Sequence, residues 1–240
     1  MEKQAEVAKS AGATYASSSG RATIVEGAIY IVTALSIFEA VWTALFLQIL
    51  PDVDLSEAVA EARVLLYLVG AELLAWLLAF IAWGAWLSRV VANVPALGGG
   101  WPNVTPRAAF VNSVVPIYNL YGATAIVRDV LVRLSAPGAA RIGLLTAWWL
   151  ALFVAVLPSF GLIPGPTFVI RLAYTFIDNA IVGLLVRLTG NQFDPGAVDA
   201  VLNVTFLIIA ATLALRLVRH IEHLQRDRLA VAGAPAPAPA

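Results

Sequence analysis

The sequence predicts an all-α fold, a polytopic transmembrane bundle of about six hydrophobic helices, each near the roughly 20 residues a bilayer core requires. Three observations predict it. Apolar runs of that length follow one another with short connections. The chain is 60% hydrophobic and only 12% charged, with a mean hydropathy of +0.85, whereas soluble domains hold roughly 45 to 50% apolar and about 25% charged residues. Arginines gather at the ends of the runs rather than within them.

The first run covers 24–50, "IVEGAIYIVTALSIFEAVWTALFLQIL", and the second 64–87. Between them the acidic stretch "PDVDLSEAVAEAR" reads as a loop. The third covers 108–127 and carries Pro116, Asn119 and Gly122 near its middle. Proline removes a backbone donor and clashes with the preceding turn. Lipid-exposed backbone cannot tolerate that, because no water satisfies the freed carbonyl. The third run is therefore broken at Pro116, as a kinked span, as a re-entrant or two-part segment, or as a surface helix. The fourth covers 142–163 and the fifth 167–188, and the sixth ends near 218 after starting at 201. Ala71, Ala75 and Ala79, and again Ala147, Ala151 and Ala155, recur every fourth residue and offer seams for close helix packing. These runs define a membrane-embedded domain over 23–228. Residues 1–22 are polar and small and read as a flexible tail, and 229–240, ending in "APAPAPA", as a disordered one.

Basic loops stay cytoplasmic. Lys3, Lys9 and Arg21 precede the first run, the acidic stretch follows it, and Arg89 and Arg107 follow the second, so the first hairpin is N-in. Six full spans would leave Arg128, Arg133 and Arg141 outside. If the third and fifth runs dip in and return, those arginines stay inside. Both paths put the two termini in the cytoplasm of a multi-pass membrane protein, and basic residues that are almost all arginine, with abundant alanine, hint at a bacterial source and so at an inner membrane.

Several polar groups stand out. Trp86, Arg89 and Asn93 share one helix face with Trp83 at its edge. Such a face reads either as an interfacial anchor or as a polar joint in which Arg89 and Asn93 meet Asn119 or carbonyls freed at Pro116. Glu39, Glu72 and Asp178 lie inside runs, with Arg171 two turns from Asp178. An ionised carboxylate at the bilayer centre costs about 2.5 to 3.5 kcal/mol, so these groups should face inward, paired or protonated. They serve either as interhelical glue or as an ion or proton path. Arg216, Arg219, His223 and Arg226 form a basic stripe suited to anionic headgroups.

Net charge is zero and cysteine is absent, which removes a global field for nucleic acid and thiolate chemistry. "HIEH" has two histidines and no third ligand, so no metal and no cofactor is expected. "GGGWP" is a turn without a phosphate-binding lysine. No nucleophile elbow or zinc-protease motif is present, and the protein is expected not to be an enzyme. The expected partners are the lipid bilayer and, within it, other membrane proteins or a second copy of the chain. An ion or proton channel or transporter is the rival role.

"WGAWLSRVVANVPALG", with Trp83, Trp86, Arg89, Asn93, Leu97 and Gly98, resembles the end of the second helix in the bacterial membrane proteins grouped as the domain of unknown function 4328 family. Pro116, Asn119, Leu120 and Tyr121 resemble that family's Pro-Ile-x-Asn-Leu-Trp signature, with Tyr in place of Trp. Trp148 and Trp149 are similar to its tryptophan pair, and Val218, Arg219, Ile221 and Gln225 to its closing segment. The resemblance implies an integral membrane protein and carries over no catalytic residue.

Overall fold

The computed structural model describes residues 14–49, 55–115, 119–156 and 195–232. Among them the regular structure is helical, with no strand: α1 (Ser19–Ile49), α2 (Leu55–Asn93), α3 (Pro106–Val114), a π-helical turn (Asn119–Ala123), α4 (Thr124–Leu134), α5 (Ile142–Val156) and α6 (Pro195–Ala232). Three of these helices contain stretches long and apolar enough to cross a bilayer, Ser19–Trp42, Leu66–Asn93 and Val204–Val231. The fifth run of the sequence, with Arg171 and Asp178, lies outside the described residues, as does Pro116.

Two boundaries differ from those read in the sequence. Residues 55–63, expected in a loop, form the opening turns of α2. The chain from 14 to 22 is not a loose tail: α1 begins at Ser19, and both Ser18 and Ala22 are buried. Its small side chains, which read as tail composition, are what allow it to pack closely.

The packing sorts into two compact units. One comprises Met1–Ile29, Leu77–Ala147 and Leu213–Ala240, and the other Tyr30–Trp76 and Trp148–Thr212. The first unit has the denser interior. Trp86, Leu87, Val90 and Val91 of α2 and Leu217, Val218 and Ile221 of α6 are at most 1% exposed. Residues 126, 127, 130, 131 and 134 of α4 are buried too, the spacing of a single helix face. In the second unit much of the apolar surface points outward, with Leu66, Tyr67 and Leu73 at least 66% exposed. Of the two alanine stripes, Ala75, Ala151 and Ala155 are buried while Ala71 and Ala147 are exposed, so each stripe packs along only part of its length.

The short elements between α2 and α5 follow from local chemistry. Pro95 disfavours helix at the residue before it, and α2 ends at Asn93. Gly98 then takes the left-handed φ of 75°, and the Gly99 N–H closes on the Val94 carbonyl at 3.0 Å. Thr105 caps α3, its hydroxyl accepting from Ala108 N, with proline at the first helical position. α3 gives way at Val115 to extended backbone, the conformation favoured immediately before a proline.

The third run is not one straight helix. A Cβ on Gly122 would lie 3.3 Å from the Cβ of Asn112, whereas ten residues of continuous α-helix would separate the two by about 15 Å. The π-helical turn is packed back against α3. The chain beyond it is then fastened: Asp129 accepts from Asn103 N at 3.1 Å and Asn103 Nδ2 at 3.1 Å, and pairs with Arg133 at 2.9 Å. Arg228 of α6 donates to the carbonyls of Leu134 at 2.8 Å and Ser135 at 3.0 Å, satisfying the open end of α4.

Gly84 is the contact point of α2 with α3, where a Cβ would meet Val114 Cγ2 at 3.0 Å and the Phe110 carbonyl at 3.1 Å. Gly84→Leu is expected to cost about 1–3 kcal/mol through overpacking. At Gly70, where a Cβ meets nothing within 4 Å, Gly70→Ala is expected to gain up to about 1 kcal/mol from helix propensity. Thermal unfolding of the two variants in lipid nanodiscs measures the contrast.

Candidate functional site: a buried polar network

On α2, Trp86 and Asn93 project into the interior of the first unit, as the spacing of their shared face dictates. On α6, the buried residues Ala210, Ala214, Leu217, Val218 and Ile221 form one face, and Glu222 and Gln225 continue it. Ser18 stands at the N-cap of α1: its carbonyl accepts the Ala22 N–H at 2.9 Å. These three sources converge. Ser18, Asn93 and Gln225 are each no more than 1% exposed, and Glu222 is 6% exposed.

The hydrogen bonds link every member. Asn93 Oδ1 accepts from Ala16 N at 3.2 Å and Asn93 Nδ2 donates to Ala16 O at 2.8 Å, so the carboxamide pairs with a peptide unit as a neighbouring strand would. The second Nδ2 proton goes to Gln225 Oε1 at 2.9 Å. Ser18 Oγ donates to Glu222 Oε1 at 2.6 Å and also lies 3.4 Å from Gln225 Oε1. Trp86 Nε1 donates to the same Glu222 oxygen at 2.9 Å. Glu222 therefore meets two donors at a single carboxyl oxygen.

The orientation of the amides is determined by the backbone. Ala16 requires an acceptor opposite its N–H and a donor opposite its carbonyl, which permits only one flip state of Asn93. Asn93 then presents a donor to Gln225 and so turns Oε1 toward itself. Gln225 Nε2 is left without a partner among the described residues. Around this centre, Arg21 Nη1 donates to the Ala85 carbonyl at 2.7 Å. Glu26 makes a bidentate pair with Arg219, Oε1 to Nε at 3.1 Å and Oε2 to Nη2 at 2.8 Å.

Several expectations change here. Trp83 and Trp86 are buried, with ring centroids 5.0 Å apart, so their rings pack inside the unit instead of on its surface. Asn93 is directed at Ala16 and Gln225, because the Ala16 peptide offers a matched donor and acceptor pair. Arg89 is half-buried on the same helix, and Asn119 contributes its backbone to the π-helical turn. In the basic stripe, Arg219 is committed to Glu26 and His223 lies 3.3 Å from Asp227, while Arg216 and Arg226 are exposed. Sequence reasoning missed Ser18 and Glu222 as members of a site. Polar residues recurring on the apolar face of α6 were the available signal for Glu222 and Gln225; Ser18 left none.

In the second unit, Glu39 of α1 and Glu72 of α2 are neighbours. Ser36 Oγ donates to Glu72 Oε1, and Trp76 Nε1 donates to the same oxygen at 3.3 Å. Among the described residues no three His, Asp or Glu side chains gather as metal ligands.

The network makes a stability prediction. Asn93→Ala and Gln225→Ala are expected to be coupled by about 0.5–3 kcal/mol in a double-mutant cycle, since each strands the other's polar group. Asn93→Ala combined with Thr212→Ala, whose hydroxyl bonds its own helix at Ile208 O, should be additive. Chemical denaturation in detergent reads both cycles.

No curated protein and no solved structure matches the chain. Residues 51–223 match the family described as Domain of unknown function (DUF4328). The matched range holds Trp86, Asn93 and Glu222 of the network, while Ser18 and Gln225 lie outside it. With more than half of its residues in that match, the chain belongs to the DUF4328 family.

Proposed function

We propose that this chain is a multi-pass integral membrane protein that acts without catalysis, as an assembly or interaction component of a bacterial inner membrane with both termini in the cytoplasm. The observation that carries the reading is the distribution of polarity. Ser18, Asn93, Glu222 and Gln225 are buried and bonded to one another, while Leu73, Leu74 and Leu78 on a helix long enough to span are more than half exposed. A hydrocarbon surrounding makes that outward apolar surface favourable, and it makes the internal hydrogen bonds obligatory. A network in which Asn93 and Glu222 bond groups from three parts of the chain fastens those parts together, which suits a structural role. Its partners on this reading are the bilayer, anionic headgroups at Arg216 and Arg226, and other membrane proteins or a second copy of the chain.

A second reading rests on a separate observation, the meeting of Glu39 and Glu72 within stretches that can span. Neighbouring carboxyl groups on two spanning helices are the kind of group a proton or cation path uses.

Two measurements separate these readings. Alkaline extraction of membranes should leave the protein in the pellet; its release into buffer as a monomer would end both. In proteoliposomes under imposed proton and cation gradients, no flux above empty vesicles is expected. Flux that disappears in Glu39→Gln or Glu72→Gln would establish the second reading in place of the first.

A further inference from the structure

The geometry points to a lipid-binding surface on α3 and α4: these two helices lie in the headgroup region of the bilayer, where their exposed arginines hold anionic phospholipid. The proposal rests on the membrane reading above and adds to it a position and a lipid class. The helices have 9 and 11 residues, about 14 and 16 Å long at 1.5 Å per residue. Neither reaches across a core of roughly 30 Å. They do not combine into one span either, because the turn at Gly122 is packed back against Asn112.

What the two helices expose is amphipathic in a particular way. On α3, Arg107 and Val111 are one turn apart and exposed. Tyr121, Ala125, Arg128 and Val132 follow one another at intervals of four, three and four residues, so they form one stripe, and all four are exposed. Tyr121 is 68% and Val132 57% exposed. The opposite face of α4 is fully engaged in the interior of the unit. The outward stripes are thus apolar and aromatic with a positive charge in each. Among the described residues neither arginine has a carboxylate partner, since the adjacent Asp129 is occupied by Arg133 and Asn103. Tyrosine and arginine among aliphatic side chains suit the boundary between acyl chains and headgroups, where rings sit at the polar edge and guanidinium reaches phosphate. Charge complementarity selects anionic over zwitterionic lipid.

The chain contains no cysteine, so single cysteines can be introduced into the full-length protein and labelled with bimane. Labels at Val111→Cys, Tyr121→Cys and Val132→Cys, and at Leu78→Cys near the middle of the Leu66–Asn93 stretch, are to be compared in vesicles of phosphatidylcholine and phosphatidylglycerol brominated either near the glycerol or near the chain end. The three stripe labels should lie about 5–10 Å below the headgroup boundary and be quenched best by shallow bromine. Leu78→Cys should be quenched best by deep bromine. Brominated phosphatidylglycerol should quench the stripe labels more strongly than brominated phosphatidylcholine, with local enrichment up to about fivefold per arginine, and Arg107→Gln with Arg128→Gln should abolish the difference. Preferential deep quenching at the stripe would show a buried span and overturn the proposal. Absence of lipid quenching would show water or another protein on that face and overturn it too, as would quenching indifferent to both headgroup and arginine. In each of these cases retention after alkaline extraction would leave the membrane reading standing.

Discussion

The carboxamide of Asn93 is the group on which the arrangement of the first unit depends. It binds one peptide unit of the entering chain through both its oxygen and its nitrogen, and it uses its remaining proton on Gln225 of the last helix. Three parts of the chain, separated by 77 and 132 residues, are therefore fixed by one planar group. A buried amide left unpaired costs about 1–3 kcal/mol, so loss of any one member penalises those that remain. Glu222 extends the same logic: its buried carboxyl group is satisfied at one oxygen by Ser18 and Trp86 together.

Charged groups at the margin of this network behave differently from those inside it. The Glu26 and Arg219 pair has good bidentate geometry, but Arg219 is 58% exposed. In water such a pair contributes up to about 1 kcal/mol. Arg228 contributes in another way, by satisfying the carbonyls of Leu134 and Ser135 that α4 leaves open. Arg133 and Asp129 tie the stretch around Asn103 to α4. The unit is thus fixed at its centre by buried amide, hydroxyl, indole and carboxyl groups, and at its edges by arginines that complete backbone hydrogen bonding.

Much of this architecture was legible in the sequence because it follows from local pattern. The long apolar runs correspond to α1, α2, α5 and α6, and the break in the third run follows from a proline that forces extended backbone at Val115. The shared face of Trp86 and Asn93 was legible from helical spacing, but its partners were not. Ser18 lies in a stretch of small polar residues whose composition is that of a tail, and only a contact across 204 residues gives it a place. The end of α2 in the acidic stretch was misread because Asp52, Asp54, Glu57 and Glu61 signal solvent, while helix propensity of Glu and Ala carries α2 through residues 55–63. Arginines 216, 219 and 226 looked equivalent along one stripe until the position of Glu26 distinguished Arg219.

The most direct test of the central claim is amide hydrogen exchange at Ala16 in the full-length protein reconstituted in nanodiscs. An ordinary flexible end exchanges at the rate of a free peptide. With the Ala16 N–H held by Asn93, the account predicts protection comparable to that of the first turns of α1, and its collapse to the free rate in Asn93→Ala while the centre of α2 stays protected. Free-peptide exchange at Ala16 in the unaltered protein would contradict the account.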